Sequence, residues 1–176
     1  MTITPVDSKK DLFFVEDIYP EDLLIDIINT NHLQADSEKQ NLQEHYPRVK
    51  IKQSNPSCSR VDAYVKSLNS YIQNATGINY LACDTAFWLD LPGFDMQSHL
   101  DNDGVYAAMQ IYLTENTKPM PTVFYNSDGS IRFEPEYRVN SGYLMLNNMN
   151  QWHAMPYTVP DNEYRLTSYT WFWRNE

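Results

Sequence analysis

Residues 165–173 read Arg165-Leu166-Thr167-Ser168-Tyr169-Thr170-Trp171-Phe172-Trp173. The run holds no Gly or Pro and is rich in Thr and aromatic side chains, which fit a pleated, half-buried surface. With a period of two, Arg165, Thr167, Tyr169, Trp171 and Trp173 share one face of a strand. Working backwards, strand-like runs recur at 152–159, 143–146, 131–133, 122–125, 105–113 and 79–91. Pro92-Gly93, Asp128-Gly129, Ser141-Gly142 and Pro160-Asp161-Asn162 punctuate them as turns. Many short strands joined by tight turns predict a mostly β domain, a sandwich or barrel. No glycine-rich phosphate loop and no alternating βαβ order is present, which excludes a Rossmann or P-loop nucleotide site.

Upstream the pattern is mixed. Residues 12–15 and 48–52 read as short strands. Pro20 opens a helix, with Glu21 and Asp22 in its first turn and Leu23, Leu24, Ile27 and Ile28 as its apolar stripe. Residues 29–43 are polar and read as loop with some helix. Residues 59–76 form the clearest helix: Val61, Tyr64, Val65, Leu68, Tyr71, Ile72 and Ala75 recur at helical spacing, Ser59 stands as N-cap, and Gly77 ends it. The chain is expected to form a single domain over 1–176. Within it, 1–77 is a helical N-terminal support and 78–176 the β core.

With 42% hydrophobic residues, the 176-residue chain has enough apolar material for a core. Its formal net charge of −10 makes nucleic acid and anionic membrane surfaces unlikely partners. Cys58 and Cys83 fit neither a disulfide framework nor a zinc-finger spacing. No signal peptide or apolar run of membrane-spanning length is visible. A cytoplasmic location is the expectation; oligomeric state is not legible.

Four histidines are present. His32 and His45 lie in polar surroundings and read as surface residues. His99-Leu100-Asp101 ends a strand-like segment, and residues two apart on an extended backbone point the same way. His99 and Asp101 can therefore reach one metal. His153 follows after several strands, enough to return the chain across a barrel. Two imidazoles and one carboxylate on one side of a metal leave its other positions open, which is the donor set of non-haem Fe(II) oxygenases. A closed structural zinc site needs a fourth ligand, and none is apparent. Arg165 lies on the same face as Thr167. A guanidinium on a barrel's inner face calls for an anion, and its fork suits a carboxylate. Thr167, and Tyr112 on a neighbouring strand, are candidate further donors.

His99-Leu100-Asp101, His153 and Arg165-Leu166-Thr167 in this order resemble the Fe(II)- and 2-oxoglutarate-dependent dioxygenase superfamily. Within it they resemble the prolyl-hydroxylase-like branch, including short single-domain phage and bacterial members. Met109-Gln110-Ile111-Tyr112-Leu113 resembles that branch's co-substrate strand and Thr122-Val123-Phe124 its T-x-F strand. The likeness covers about residues 86–173. Pro119-Met120-Pro121 replaces the Gly-Gly that usually precedes the T-x-F strand, and Thr167 or Ser168 stands in for a common Ser.

The resemblance implies a double-stranded β-helix (jelly roll, cupin-like) with N-terminal helices packed on one sheet. It implies an enzyme in which His99, Asp101 and His153 hold Fe(II), and Arg165, Thr167 and Tyr112 hold the distal carboxylate of 2-oxoglutarate. Dioxygen is the further co-substrate, and 2-oxoglutarate leaves as succinate. The expected substrate is a peptide or protein residue, proline first. The same chemistry on a free amino acid, another small metabolite or a nucleobase stays open, as does a non-catalytic metal-binding jelly roll. Trp88, Asp90, Tyr106, Asn148, Trp152 and Tyr157 are candidates for the substrate mouth, and Asn147 and Gln151 are polar neighbours of His153.

Overall fold

Alternation builds the strands, and the computed structural model shows which face each side chain takes. It describes residues 1–38, 47–51, 56–79, 82–101, 105–146 and 151–173, without the side chains of 31–38. In chain order the elements are β1 (Thr2–Pro5), β2 (Leu12–Glu16), α1 (Glu21–Glu38), β3 (Arg48–Ile51), α2 (Pro56–Ser67), α3 (Asn69–Thr76), β4 (Ala82–Asp90) and β5 (Met96–His99). They continue as β6 (Ala107–Tyr112), β7 (Val123–Tyr125), β8 (Ile131–Phe133), β9 (Ser141–Leu146), β10 (His153–Met155) and β11 (Arg165–Trp173). The strands form two antiparallel sheets: β1-β2-β9-β6-β11-β4-β3 and β5-β10-β7-β8. The strand pattern points to a sandwich or barrel, and the arrangement is the jelly roll that the resemblance implies.

The seven-stranded sheet is two-faced. Phe87 and Leu89 of β4, Met109 and Ile111 of β6, and Leu166 and Phe172 of β11 point to one side. There they form the main core with Val49 and Ile51 of β3, Val61 and Val65 of α2, and Ile27 of α1. Fully burying side chains of this size contributes roughly 1.5–3 kcal/mol each, so this layer carries most of the stability. Their neighbours in sequence point the other way, toward the four-stranded sheet. That face carries Arg165, Thr167, Tyr169 and Trp171 together with Trp88, Asp90 and Gln110.

Residues 1–77 contribute more than helices. β2 pairs with β9 and β3 with β4, so this part of the chain supplies three strands of the large sheet. The helix expected over 59–76 is two helices. α2 starts earlier, with Pro56 in its first position, where the missing N–H costs nothing. It ends where the Ser67 hydroxyl takes the Tyr64 carbonyl at 2.6 Å and the Leu68 N–H bonds Val65 in a tightened turn. Gly77, at φ +74°, donates its N–H to Gln73 and stops α3. α1 runs on to Glu38, so the helix takes up residues 29–38 of the segment expected to be loop with some helix. His45 lies outside the described residues, as does the His32 side chain. No helix among the described residues is long and apolar enough to cross a membrane.

At Gly142 of β9 the backbone of the paired strand β6 approaches closely. A Cβ there would run into the Gln110 carbonyl oxygen and sit 2.9 Å from its carbon and 3.0 Å from the Ile111 Cα. All three are backbone atoms in the paired strand, so nothing nearby can swing away. Gly142→Ala is expected to cost about 3 kcal/mol, the upper end of overpacking penalties, read as a lowered midpoint in urea unfolding.

Candidate metal centre and its cavity

His153 lies directly opposite His99 in the antiparallel pair β10–β5. Cross-strand partners share a face, so register alone sets the two rings side by side, with centroids 4.4 Å apart. Asp101 follows two residues after His99. Its Oδ1 lies 3.6 Å from His99 Nε2 and 3.7 Å from His153 Nε2. The three ligand atoms fall within 4.8 Å of one another. Both rings turn Nε2 inward because Nδ1 is engaged elsewhere. A carbonyl can only accept, so His99 Nδ1–H donates to Gln97 O at 2.9 Å and His153 Nδ1–H to Gln151 O at 2.8 Å. That fixes the tautomer a metal ligand needs.

The electrostatics suit a cation. Burial pushes the Asp101 carboxyl up, but His99, His153 and Tyr169 outweigh it and hold it below the usual carboxylate range. Burial against the inner wall pushes His153 down, so its Nε2 lone pair is free. The Asp101 carboxylate beside it raises His99. Tyr169 donates to Asp101 Oδ2 at 2.7 Å. Its burial, beside Tyr143 and Asp101, pushes the phenol well up, so it stays a donor. Oδ1 is thereby left to face the histidines. Tyr169→Phe is expected to weaken Fe(II) binding about 10–100-fold in equilibrium dialysis without unfolding the protein, as loss of such an orienting bond does elsewhere.

These residues open into a cavity of about 140 Å³ lined by Arg48, Trp88, Met96, Gln110, Tyr143 and Trp171 as well as His99, Asp101, His153 and Tyr169. Behind Gln110 lies Arg165, fully buried. Its Nη1 donates to Asp90 Oδ2 at 2.8 Å, and its Nη2 to Gln110 Oε1 at 3.2 Å and Thr122 Oγ1 at 3.1 Å. The expectation that only an incoming carboxylate neutralises Arg165 is therefore corrected: Asp90, in register with it on β4, already does so in part. Glu163, two residues before Arg165 in the chain, does not pair with it. Glu163 instead accepts from Asn116 and Thr117.

Asp90 has a second cation. Arg48 of β3 donates to its two oxygens at 2.5 and 3.2 Å. Two guanidiniums around one carboxylate leave one positive charge, and Arg165 Nε is buried with no partner among the described residues. A buried, unmatched donor is costly, and a carboxylate would meet it. Tyr112 and Thr167 lie on the same face and are buried. The Tyr112 ring is 5.3 Å from the Arg165 guanidinium carbon, and its hydroxyl accepts the Thr122 N–H at 3.0 Å. Thr167 Oγ1 accepts from Gln110 Nε2 at 3.3 Å.

Of the other expected mouth residues, Trp88 lines the cavity and Asp90 sits behind it. Trp152 is 41% exposed and lines a separate hollow with Ser98, Tyr125 and Asn126 on the far side of the small sheet. Tyr157 donates to Glu134, and Tyr106 packs against the main core. Gln151 is buried, its Oε1 accepting from Arg132. Asn147 and Asn148 lie outside the described residues. Arg48 and Gln110 were not anticipated as parts of the site. Gln110 left a trace, as the one amide inside an apolar strand.

No protein-family model and no curated protein sequence matches the chain. Solved structures do, and the fold they share with it is that of prolyl hydroxylases and related 2-oxoglutarate oxygenases. A prolyl-4-hydroxylase from Pseudomonas putida superposes with a TM-score of 0.71 at 18% identity, over 94% of each chain. A Trichoplax adhaerens prolyl hydroxylase, in complex with a hypoxia inducible factor peptide fragment, matches at 0.70 and 14% identity, over 93% of this chain and 84% of its own. HygX from Streptomyces hygroscopicus, with nickel and 2-oxoglutarate bound, matches at 0.67 and 7% identity, over 94% and 83%.

Proposed function

We propose that the protein is an Fe(II)- and 2-oxoglutarate-dependent oxygenase that hydroxylates a peptide or protein residue, with proline the first candidate. The observation that carries this reading is the pairing of His99 and His153 across one strand register, with Asp101 between their inward Nε2 atoms. Two neutral imidazoles and one carboxylate, open on the cavity side, fit iron. The single positive charge left around Asp90 and the unmatched Nε of Arg165 fit the distal carboxylate of 2-oxoglutarate, with Tyr112 and Thr167 beside it. When bound, iron would let dioxygen act as the oxidant, one oxygen atom going to an unactivated C–H bond and the other to 2-oxoglutarate, which would leave as succinate and carbon dioxide.

The chain's own residues do the rest. Tyr169 keeps Asp101 turned toward the metal. Gln97 and Gln151 hold both histidines in the ligating tautomer. Trp88, Tyr143 and Trp171 line the cavity with aromatic surface that excludes water from the reacting carbon. A peptide substrate is supported by the peptide-bound neighbour of like fold, and a cytoplasmic location by two buried cysteine thiols.

Anaerobic titration with Fe(II) and 2-oxoglutarate, followed by aerobic incubation with proline peptides, free amino acids and oligonucleotides, tests this. Mass spectrometry is expected to show a gain of one oxygen atom on peptides alone. A product found on free amino acids or nucleobases alone would overturn the peptide reading.

A further inference from the structure

β3 reads Arg48-Val49-Lys50-Ile51. Val49 and Ile51 enter the main core, so Arg48 and Lys50 face the cavity side. Arg48 spends Nε and Nη2 on Asp90. Among the described residues its Nη1 meets only the Met96 thioether, at 4.0 Å, a weak acceptor. The guanidinium lies 4.1 Å from the Phe94 ring and 5.0 Å from the Trp88 ring. Lys50 Nζ sits between the two indoles of the cavity wall, 5.3 Å from Trp88 and 4.7 Å from Trp171. Among the described residues no carboxylate comes within ion-pair distance of Lys50. Asp84, the next carboxylate along β4, is held by the Trp173 indole N–H at 3.0 Å.

In a chain of net charge −10, two cations at one mouth are a local reversal of sign. The remaining charges of the site balance: iron against Asp101 and one carboxylate of 2-oxoglutarate, and Arg48 and Arg165 against Asp90 and the distal carboxylate. Lys50 is left over, beside the one open donor of Arg48. Fields at a narrow mouth select partners of opposite sign.

We infer that Arg48 and Lys50 form a recognition rim for a carboxylate on the substrate, so that the residue oxidised lies next to an acidic residue of a peptide. This rests on the oxygenase reading and deepens it. Arg48 has two roles: it holds Asp90 and offers Nη1 to the substrate. Lys50 has only the second, and the indoles on either side keep its ammonium at the rim rather than in bulk water.

The test uses the full chain loaded with Ni(II) and 2-oxoglutarate, which binds without turnover, and reads binding by tryptophan fluorescence. The probes are a blocked Gly-Pro-Asp-Gly peptide, its Asn counterpart, and blocked Gly-Pro with a free terminal carboxylate. The Asp peptide is expected to bind at least about tenfold more tightly than the Asn peptide. Lys50→Gln is expected to remove most of that preference while leaving 2-oxoglutarate affinity unchanged. Arg48→Gln should reduce the preference too, but it also disturbs Asp90, so exposed Lys50 is the deciding position. A gain confined to the free-carboxylate probe would support the rim with a chain end as its source. Equal binding of all three, absence of binding included, overturns the rim, as does an acidic preference that survives in both variants. Failure to take up nickel and 2-oxoglutarate would sink the oxygenase reading and this one with it; loading without acidic preference sinks this one alone.

Discussion

His153→Ala is expected to abolish Fe(II) binding in equilibrium dialysis, and with it succinate production, while the far-UV circular dichroism stays that of the folded chain. His153 is the deepest of the three ligands, with a side chain only 3% exposed. Removing it leaves His99 and Asp101 on one strand end, and two ligands do not hold a divalent ion at useful affinity. Its ring also packs against Phe124, 5.6 Å between centroids, so stability should fall by about 0.5–3 kcal/mol. His99→Ala should lose iron equally with a smaller cost in stability, because His99 is 36% exposed. Wild-type turnover in either variant would refute the assignment of these ligands.

Arg165→Ala is expected to weaken 2-oxoglutarate binding by at least about 30-fold and leave Fe(II) affinity nearly unchanged. Truncating one partner of a desolvated charge pair costs about 2–5 kcal/mol, and each 1.4 kcal/mol is tenfold in affinity. The Asp90 pairing sharpens the experiment. Without Arg165, Asp90 still has Arg48 on both of its oxygens, so no bare buried carboxylate is created and the fold should survive. What disappears is the one surplus positive charge. Arg165→Lys keeps that charge but not the fork, and should recover only part of the affinity. Unchanged calorimetric binding in Arg165→Ala would remove the co-substrate site from this end of the cavity.

The parts of the site that could be read from sequence are those where one local rule suffices. Strand alternation put His99 and Asp101 on one face, and the same rule put Arg165 beside Thr167 and Tyr169. The central position of residues 165–173 was not legible, because antiparallel pairing says nothing of which strands flank a given one. Arg48 was hidden for the same reason. Its alternation with Val49 and Ile51 is visible, but its partner Asp90 is 42 residues away, and only the β3–β4 pairing brings them together. Tyr169 was placed on the right face, yet its bond to Asp101 spans 68 residues and crosses between sheets. The split at Leu68 turns on one serine hydroxyl taking a backbone carbonyl, a competition that helical periodicity does not register.

The position of β11 has a consequence for synthesis. It is last of the described strands in the chain, and it fills the slot between β6 and β4, pairing along its whole length with β4. Until it leaves the ribosome, the large sheet exists as two separate pieces. One holds β1, β2, β9 and β6; the other holds β4 and β3. Each has an unpaired inner edge, and open edges of this kind invite pairing with other chains. Such non-local closure is slow and can be completed only late. A nascent chain stalled or cut before Arg165 should thus be a strong client for chaperones. Metal binding should begin only once this strand has emerged, because Tyr169, which orients Asp101, arrives on it.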